Sequence, residues 1–287
     1  MTKKLLTSIM AFVLCLTTFA TDMVVKQKNG KILRFNVTEL EEVAFEESIP
    51  EDATVVDASE TFLQFNILSD STVEVKKDNG DNEPSYPGHD TIIVPAKVRI
   101  DGTIYTVTSI GESAFAYSVD LRCVKLPEGV TNIGSYAFYH SNLLTSIDIP
   151  ESVTIIGEFA FYYSNRLEPK LLIYDNGTKC YGWIGDSKKC KDVVIPEKVT
   201  DIGAGAFYYC SDLTSIEIPE GVTRIGANAF VSCGLTNINI PASVTSIGDF
   251  AFILCPELNI IIDNSKDNVN VGDSVFKGCK SVKWLKE

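Results

Sequence analysis

From Ile110 onward the apolar residues keep a fixed frame that belongs neither to one helix nor to one strand. Ile-Gly begins at Ile110, Ile133, Ile156, Ile202, Ile225 and Ile247, then as Val-Gly at Val271, in steps of 23, 23, 46, 23, 22 and 24 residues. The long step holds two units, because "KCYGWIGDSKKCKDVVIPEKVTD" (179–201) keeps the length and the Ile195-Pro196 of the others. The count is eight units over 110–287, the one at 179–201 degenerate. A fixed period in this range is the mark of a solenoid.

Within a unit, "LTSIEIP" alternates as a half-buried strand does, with Leu213, Ile216 and Ile218 inward and Ser215 and Glu217 outward. Pro219 ends it, since proline cannot donate to a ladder. Val222 and Ile225 frame a second extended piece, "GVTRIG", whose glycine marks a turn that a Cβ would obstruct. Phe207 and its counterparts Phe115, Phe138, Phe161, Phe230, Phe252 and Phe276 form the expected spine of the core. One unit buries too little to offset the entropy of ordering it, so it needs hydrogen bonds to neighbouring coils.

Upstream, "VRIDGTIYTVTSIG" predicts a hairpin with Asp101-Gly102 in a type I′ turn, and "FLQFNILSDSTVEVKK" an earlier strand pair. Residues 55–109 read as a β-rich N-terminal cap, with "DNGDNEPSYPGHD" as a polar loop. Residues 21–50 form a short leader segment, with a hairpin expected around Asn29-Gly30. The first twenty residues have Lys3 and Lys4, an apolar run from Leu5 to Leu16, and small residues ending at Ala20, the layout of a secretory signal peptide. That run falls short of the roughly 18 residues a membrane span needs. The mature protein is expected outside the cytoplasm.

At 287 residues and 45% hydrophobic the chain can bury a large core. A net charge of -13 argues against a nucleic-acid partner, which needs a basic patch.

"IGAGAFYYCSDLTSIEIPEGVT" resembles the leucine-rich repeat of the BspA-like, or treponemal, type. The resemblance implies a β-rich α/β solenoid: a right-handed superhelix with a parallel sheet on one face and short helical or 3-10 turns around "AGAFYYC". It also implies a secreted or surface-anchored interaction protein. The segment 22–47 resembles a leader common in secreted proteins of the Bacteroidetes.

The cysteines test for chemistry. Eight residues on from each unit start stand Ser118, Ser141, Ser164, Ser187, Cys210, Cys233, Cys255 and Cys279, so serine and cysteine share one small slot. A packed ladder tolerates that exchange and a metal site does not; disulfides between coils remain open in an oxidising compartment. Cys190 takes a core leucine slot, Cys180 replaces a glycine, and Cys123 is expected outward. His89 and His140 are the only histidines, and phosphate loops, Gly-x-Ser-x-Gly and His-Glu-x-x-His are lacking. No enzyme, metal or cofactor is predicted.

Two surface columns remain. Glu128, Glu151, Glu197 and Glu220 form an acidic ridge, with Ca²⁺ the alternative. Tyr117, Tyr139 beside His140, Tyr162, Tyr163, Tyr208 and Tyr209 follow the core phenylalanines and either pave the coil or form a recognition strip. Tyr181 and Trp183 mark the degenerate unit as the place to seek a groove. The outward sheet column (Lys125, Asp148, Leu171, Val194, Glu217, Asn239, Ile262, Lys286) has no theme. The expected function is non-catalytic adhesion or interaction with a host or bacterial surface protein. The alternative is an accessory carbohydrate-binding protein of a polysaccharide uptake system, with a glycan as partner.

Overall fold

A computed structural model describes residues 22–26, 32–36, 55–78 and 83–286. The expected signal peptide and the Asn29-Gly30 turn lie outside the described residues. The chain divides into two units, Met1–Thr54 and Val55–Glu287. In the first, Asp22–Lys26 pairs antiparallel with Ile32–Asn36, Lys26 opposite Ile32.

In the second unit, Lys97–Ile100 and Thr103–Ile110 form an antiparallel hairpin. Its two loop residues, Asp101 and Gly102, both have positive φ, at 49° and 84°, as a type I′ turn requires. Gln64–Ile67 pairs antiparallel with Thr72–Lys76. The latter runs parallel to Thr103–Ile110, while Thr91–Ile93 runs parallel to Cys123–Lys125. Thr72–Lys76 and Thr91–Ile93 therefore add one rung to each of two ladders ahead of the first repeat.

The repeats stack through three ladders. The Ile-Gly pieces pair in parallel from Ile110 to Ile133 to Ile156, and from Cys180 through Ile202, Ile225 and Ile247 to Val271. The "LTSIEIP" strands make the second, with Ile92, Val124 and Ile147 in one register, Val193 with Ile216 in another, and Ile238, Ile260 and Val282 in a third.

The third ladder lies in the "AGAFYYC" segment, which is a run of hydrogen-bonded turns with no helix. Alternate amides there bond locally, as Ala206 N–H to Gly203 O and Tyr208 N–H to Gly205 O do. The others reach sideways: Gly205, Phe207 and Tyr209 N–H donate to Ala227, Ala229 and Val231 O at 2.8, 2.7 and 2.9 Å. The same three bonds recur from Ile110 to Ile133, Ile133 to Ile156, Ile225 to Ile247 and Ile247 to Val271. They hold the core phenylalanines in stacks, Phe115–Phe138–Phe161 at 5.2 Å steps and Phe207–Phe230–Phe252 at 5.2 and 5.1 Å, with Phe276 a further 6.2 Å on.

The regular stack breaks at the degenerate unit, and the break begins before Lys179. Lys170–Tyr174 and Lys179–Ile184 form an antiparallel hairpin closed over Asp175, Asn176 and Gly177, all at positive φ. Leu171 pairs with Trp183 there, so it does not join the outward sheet column. Cys180 pairs with Ile202 and so fills the isoleucine position, not the glycine one. Trp183 N–H donates to Ala206 O, the bond a core phenylalanine makes elsewhere. Two residues separate Cys180 from Trp183 where four separate Ile202 from Phe207, because an extended strand covers more distance per residue than a run of turns. Two further assignments shift. Cys123 is buried within its strand. Ile262 is also buried, opposite Ile240, which leaves Ile261 and Lys283 in the outward column. The last coils differ in length, so counting from Ile-Gly slips by one residue at Ile261 and by three at Lys283.

The Ile-Gly glycines allow the coils this spacing. A Cβ on Gly157 would lie 2.3 Å from Ser135 N, whereas one on Gly129 would sit 3.6 Å from Val107 O. We expect Gly157→Ala to cost about 2–4 kcal/mol and Gly129→Ala less than about 0.5 kcal/mol in urea denaturation. Equal losses would show that the coils relax freely.

Candidate functional site: an aromatic strip over four coils

The tyrosines predicted as binding residues fall into one ring-to-ring cluster, with two exceptions. Tyr117 meets Tyr139 at 5.4 Å and stacks on His140 at 5.3 Å. Tyr139 meets Tyr162 at 5.9 Å, and His140 meets Tyr163 at 4.4 Å. Tyr162 contacts Tyr163 and Tyr208 at 4.2 and 5.2 Å, and Tyr208 contacts Tyr209 at 4.7 Å. Tyr136 and Phe159 also belong, through Tyr136–Tyr139 and Phe159–Tyr208 contacts at 5.5 and 4.8 Å. Sequence reasoning missed these two. Their signal was present in "SYAF" and "EFAF", two residues before the core phenylalanine.

Backbone geometry explains the cluster. In each regular coil two residues, three and seven after the start, have positive φ. The later position holds Tyr117 (57°), His140 (56°), Tyr163 (63°), Tyr209 (56°), Ser232 (49°), Leu254 (60°) and Gly278 (83°). The earlier one holds Ser113, Tyr136, Phe159, Gly205, Asn228, Phe250 and Ser274. The shared conformation aims side chains of successive coils alike, so rings at either position meet. Gly205 serves a neighbour, since a Cβ there would come within 2.8 Å of the Phe159 ring.

Tyr163 and Tyr209 are 40% and 45% exposed, while the other rings of the cluster are half-buried. Burial raises the Tyr162 phenol above its ordinary range and lowers His140 below the usual histidine value. Burial thus disfavours the charged form of both rings. Glu112 and Glu158 lie close enough to Tyr136 to add to the rise that burial causes there.

Tyr181 and Trp183 stand apart from the strip. The Tyr181 hydroxyl donates to Thr154 O at 2.7 Å and accepts from the Ile156 amide, so it closes the strand edge left open by the break. Trp183 Nε1–H donates to Asp186 O at 3.2 Å, and its ring packs on the C-terminal half of the core. A cavity of about 50 Å³ lies beside them, lined also by Phe159, Tyr162 and Tyr208. That is a sixth or less of a small-molecule pocket of roughly 300 Å³ and upwards.

The model of the BspA type leucine rich repeat region matches this chain in six copies over residues 100–176 and 185–286, more than half its length. The chain belongs to the BspA-type leucine-rich repeat family. The residues skipped between the two matches, 177–184, are the turn end and second strand of the hairpin. Among solved structures, a leucine rich cell surface protein from Faecalibacterium prausnitzii is 32% identical, with a TM-score of 0.48. The match covers 72% of this chain and 55% of that one, so this chain spans about half of its relative. The leucine-rich repeat protein of Treponema pallidum is 24% identical over 76% of this chain and 87% of its own, with a TM-score of 0.44. One from Bacteroides ovatus is 23% identical over 78% and 75%, with a TM-score of 0.39. No curated protein matches this sequence.

In this BspA-type chain four residues of the serine–cysteine slot share one role, while Ser118 Oγ donates to Ser85 O in the cap. Ser141 and Ser164 Oγ donate to Phe115 and Phe138 O at 2.9 and 2.8 Å; Cys255 and Cys279 Sγ donate to Phe230 and Phe252 O at 3.1 Å each. In these four coils the slot thus satisfies the carbonyl of the preceding core phenylalanine, which either O–H or S–H does. Cys233 and Cys255 Sγ stand 3.5 Å apart, beyond disulfide length, and hydrogen-bond. That bond raises the Cys233 thiol and lowers that of Cys255. Burial pushes Cys180 up to about 12 and Cys279 up to about 11, where a thiol is a poor nucleophile. Among the described residues no group of three or more His, Cys, Asp or Glu could hold a metal, and the four ridge glutamates are exposed.

Two substitutions test these roles by thermal and urea unfolding. Cys279→Ser should stay within about 1 kcal/mol of the parent, while Cys279→Val should lose about 1–3 kcal/mol by stranding Phe252 O. Tyr181→Phe should cost about 1–2 kcal/mol and Tyr209→Phe about nothing, because only the former hydroxyl bridges two backbone groups.

Proposed function

We propose that this chain is a non-catalytic, exported binding protein, and that the aromatic strip engages the surface of a host or bacterial partner protein. The carrying observation is the placement of Tyr163 and Tyr209. Both are exposed at a positive-φ position that carries rings on all four coils of the strip, Tyr117, His140, Tyr163 and Tyr209, and Ser232, Leu254 and Gly278 on the coils beyond it. A large side chain in that conformation costs on the order of 1–2 kcal/mol. The ladder sets this conformation in every coil, and the strip fills it with aromatic rings in place of the small residues it favours, as Ser232 and Gly278 do elsewhere.

Membership of a repeat family and the buried, protonated thiols support a non-catalytic role. The three-part layout of residues 1–20 supports export. Among the described residues no helix is long and apolar enough to cross a membrane. Tyrosine gives large contact area at low entropic cost, the chemistry of interface hot spots. The glycan reading is the weaker one, since the cavity of about 50 Å³ beside Trp183 has no room for a sugar ring.

Screening the mature protein against matrix proteins and a glycan array supplies the partner. The double change Tyr163→Asn with Tyr209→Asn should then weaken binding more than about tenfold, or about 1.4 kcal/mol. The melting temperature should hold or rise, because asparagine accepts positive φ more readily. Intact binding with a lowered melting temperature would make these rings paving.

A further inference from the structure

Where strand pairing lapses between Ile216 and Ile238, other ladders still pass. Thr223 and Gly226 N–H donate to Thr200 and Ile202 O at 2.8 Å each, and the turn amides of the Ile202 coil reach sideways. Between the Ile156 coil and the hairpin of Lys170–Tyr174 and Lys179–Ile184 all three ladders stop together. Among the described residues no backbone hydrogen bond joins residues 55–169 to residues 170–286. By its backbone the hairpin belongs to the later coils: Gly203 N–H donates to Cys180 O and Trp183 N–H to Ala206 O, at 2.7 and 2.9 Å. Its side chains face both ways, as strand alternation requires. Leu172, Tyr174, Tyr181 and Ile184 pack on the core ahead of it, and Leu171, Ile173, Cys180 and Trp183 on the core behind it. The hairpin is thus a wall between two apolar cores. Two side chains tie this wall to the earlier coils. Tyr174 O–H donates to Ile149 O at 3.1 Å, and the Tyr181 hydroxyl bridges Thr154 O and the Ile156 amide. Both ties lie along residues 149–156. In the turn segment that follows, Phe159, Phe161 and Tyr163 N–H find no partner among the described residues, and the rings of Phe159 and Tyr162 meet Tyr208 at 4.8 and 5.2 Å.

We propose that this junction is a hinge: residues 55–169 and 170–286 are two arms that move and unfold as separate units about the ties along 149–156. In a repeat protein cooperativity is carried by the interface between neighbours, so it fails first at the interface that lacks its hydrogen bonds. A ladder fixes both the spacing and the angle of two coils. Apolar contact is non-directional, so it holds the arms together and leaves their angle soft. With both ties along 149–156, the arms part on the side of the turn segments, where Phe159 and Tyr162 leave Tyr208. That side carries the aromatic strip, which has Tyr163 on one arm and Tyr209 on the other. A consequence for binding follows, and it rests on the reading of the strip as a protein-binding surface. A partner seated on both Tyr163 and Tyr209 has its contacts only when the arms are closed, so its binding energy selects that setting.

Two measurements on the free mature protein test the hinge, so the strip can fail as a binding surface without touching it. The first is native-state amide exchange in low urea. Phe230→Leu loosens the later core and should speed exchange at Gly203 and Gly226 at least about tenfold, leaving Gly134 and Gly157 within about twofold. All four amides bond to the Ile-Gly piece of the coil or hairpin before them, so they report equivalent rungs. Phe138→Leu should do the reverse. Acceleration that crosses from Gly203 to Gly157, or fades evenly from coil to coil, would overturn the proposal. The second measurement needs no core substitution. Spin labels go on exposed positions in a Cys279→Ser background, where the other described cysteines are buried. The pair Glu128→Cys with Glu220→Cys spans the junction, and Glu197→Cys with Asp267→Cys lies within one arm. The spanning pair should show a distance distribution at least about twice as wide. Tyr174→Phe with Tyr181→Phe should widen it further and leave the other pair unchanged. Equal widths, or no response to loss of the two hydroxyls, would show a single rigid solenoid.

Discussion

Backbone pairing between one coil and the next is the interaction on which the rest of this structure depends. A 23-residue coil has no α-helix and only short strands, so most of its amides cannot be satisfied within it. Three ladders solve this, and the least familiar runs through the turns. Because its amides reach sideways at every second residue, the intervening ones close tight local turns, and two residues per coil take positive φ. Inter-coil spacing, phenylalanine stacking and the absence of a Cβ at the Ile-Gly position all follow from that one requirement.

The serine–cysteine slot belongs to the same economy of hydrogen bonds. The carbonyls of Phe115, Phe138, Phe230 and Phe252 each accept from a small O–H or S–H donor about one coil further along the chain, as Ser141 does for Phe115. What sequence presents as a row of possible ligands is a row of caps. Burial keeps the Cys180 and Cys279 thiols protonated, so packing and acid–base chemistry agree about their role.

Where a coil is missing, the same requirement produces the chain's most distinctive region. The hairpin offers Tyr181 to close one strand edge and Trp183 to occupy one rung, and it divides the core between Leu172 and Ile184 on one side and Cys180 on the other. Aromatic rings gather beside this break on the Ile156 and Ile202 coils. Phe159 reaches over Gly205 to Tyr208, so side chains span a junction that backbone pairing leaves incomplete.

Much of this was legible in the sequence. The period, the inward residues of "LTSIEIP", the phenylalanine spine, the Asp101-Gly102 turn and the shared serine–cysteine slot all follow from local rules, because each position meets its own copy in the next coil. The hairpin was not legible. Residues 179–201 keep the length of a unit, and length is blind to whether residues run extended or in turns; hence Cys180 was placed one position off and Leu171 on the wrong face. Nor could sequence show that Tyr136 and Phe159 join the tyrosines. Two positions four residues apart share an orientation only because both have positive φ, a conformation the sideways hydrogen bonds impose and no residue type announces. Repetition wrote the coil into the sequence, while the contacts made where repetition fails exist only once the coils have stacked.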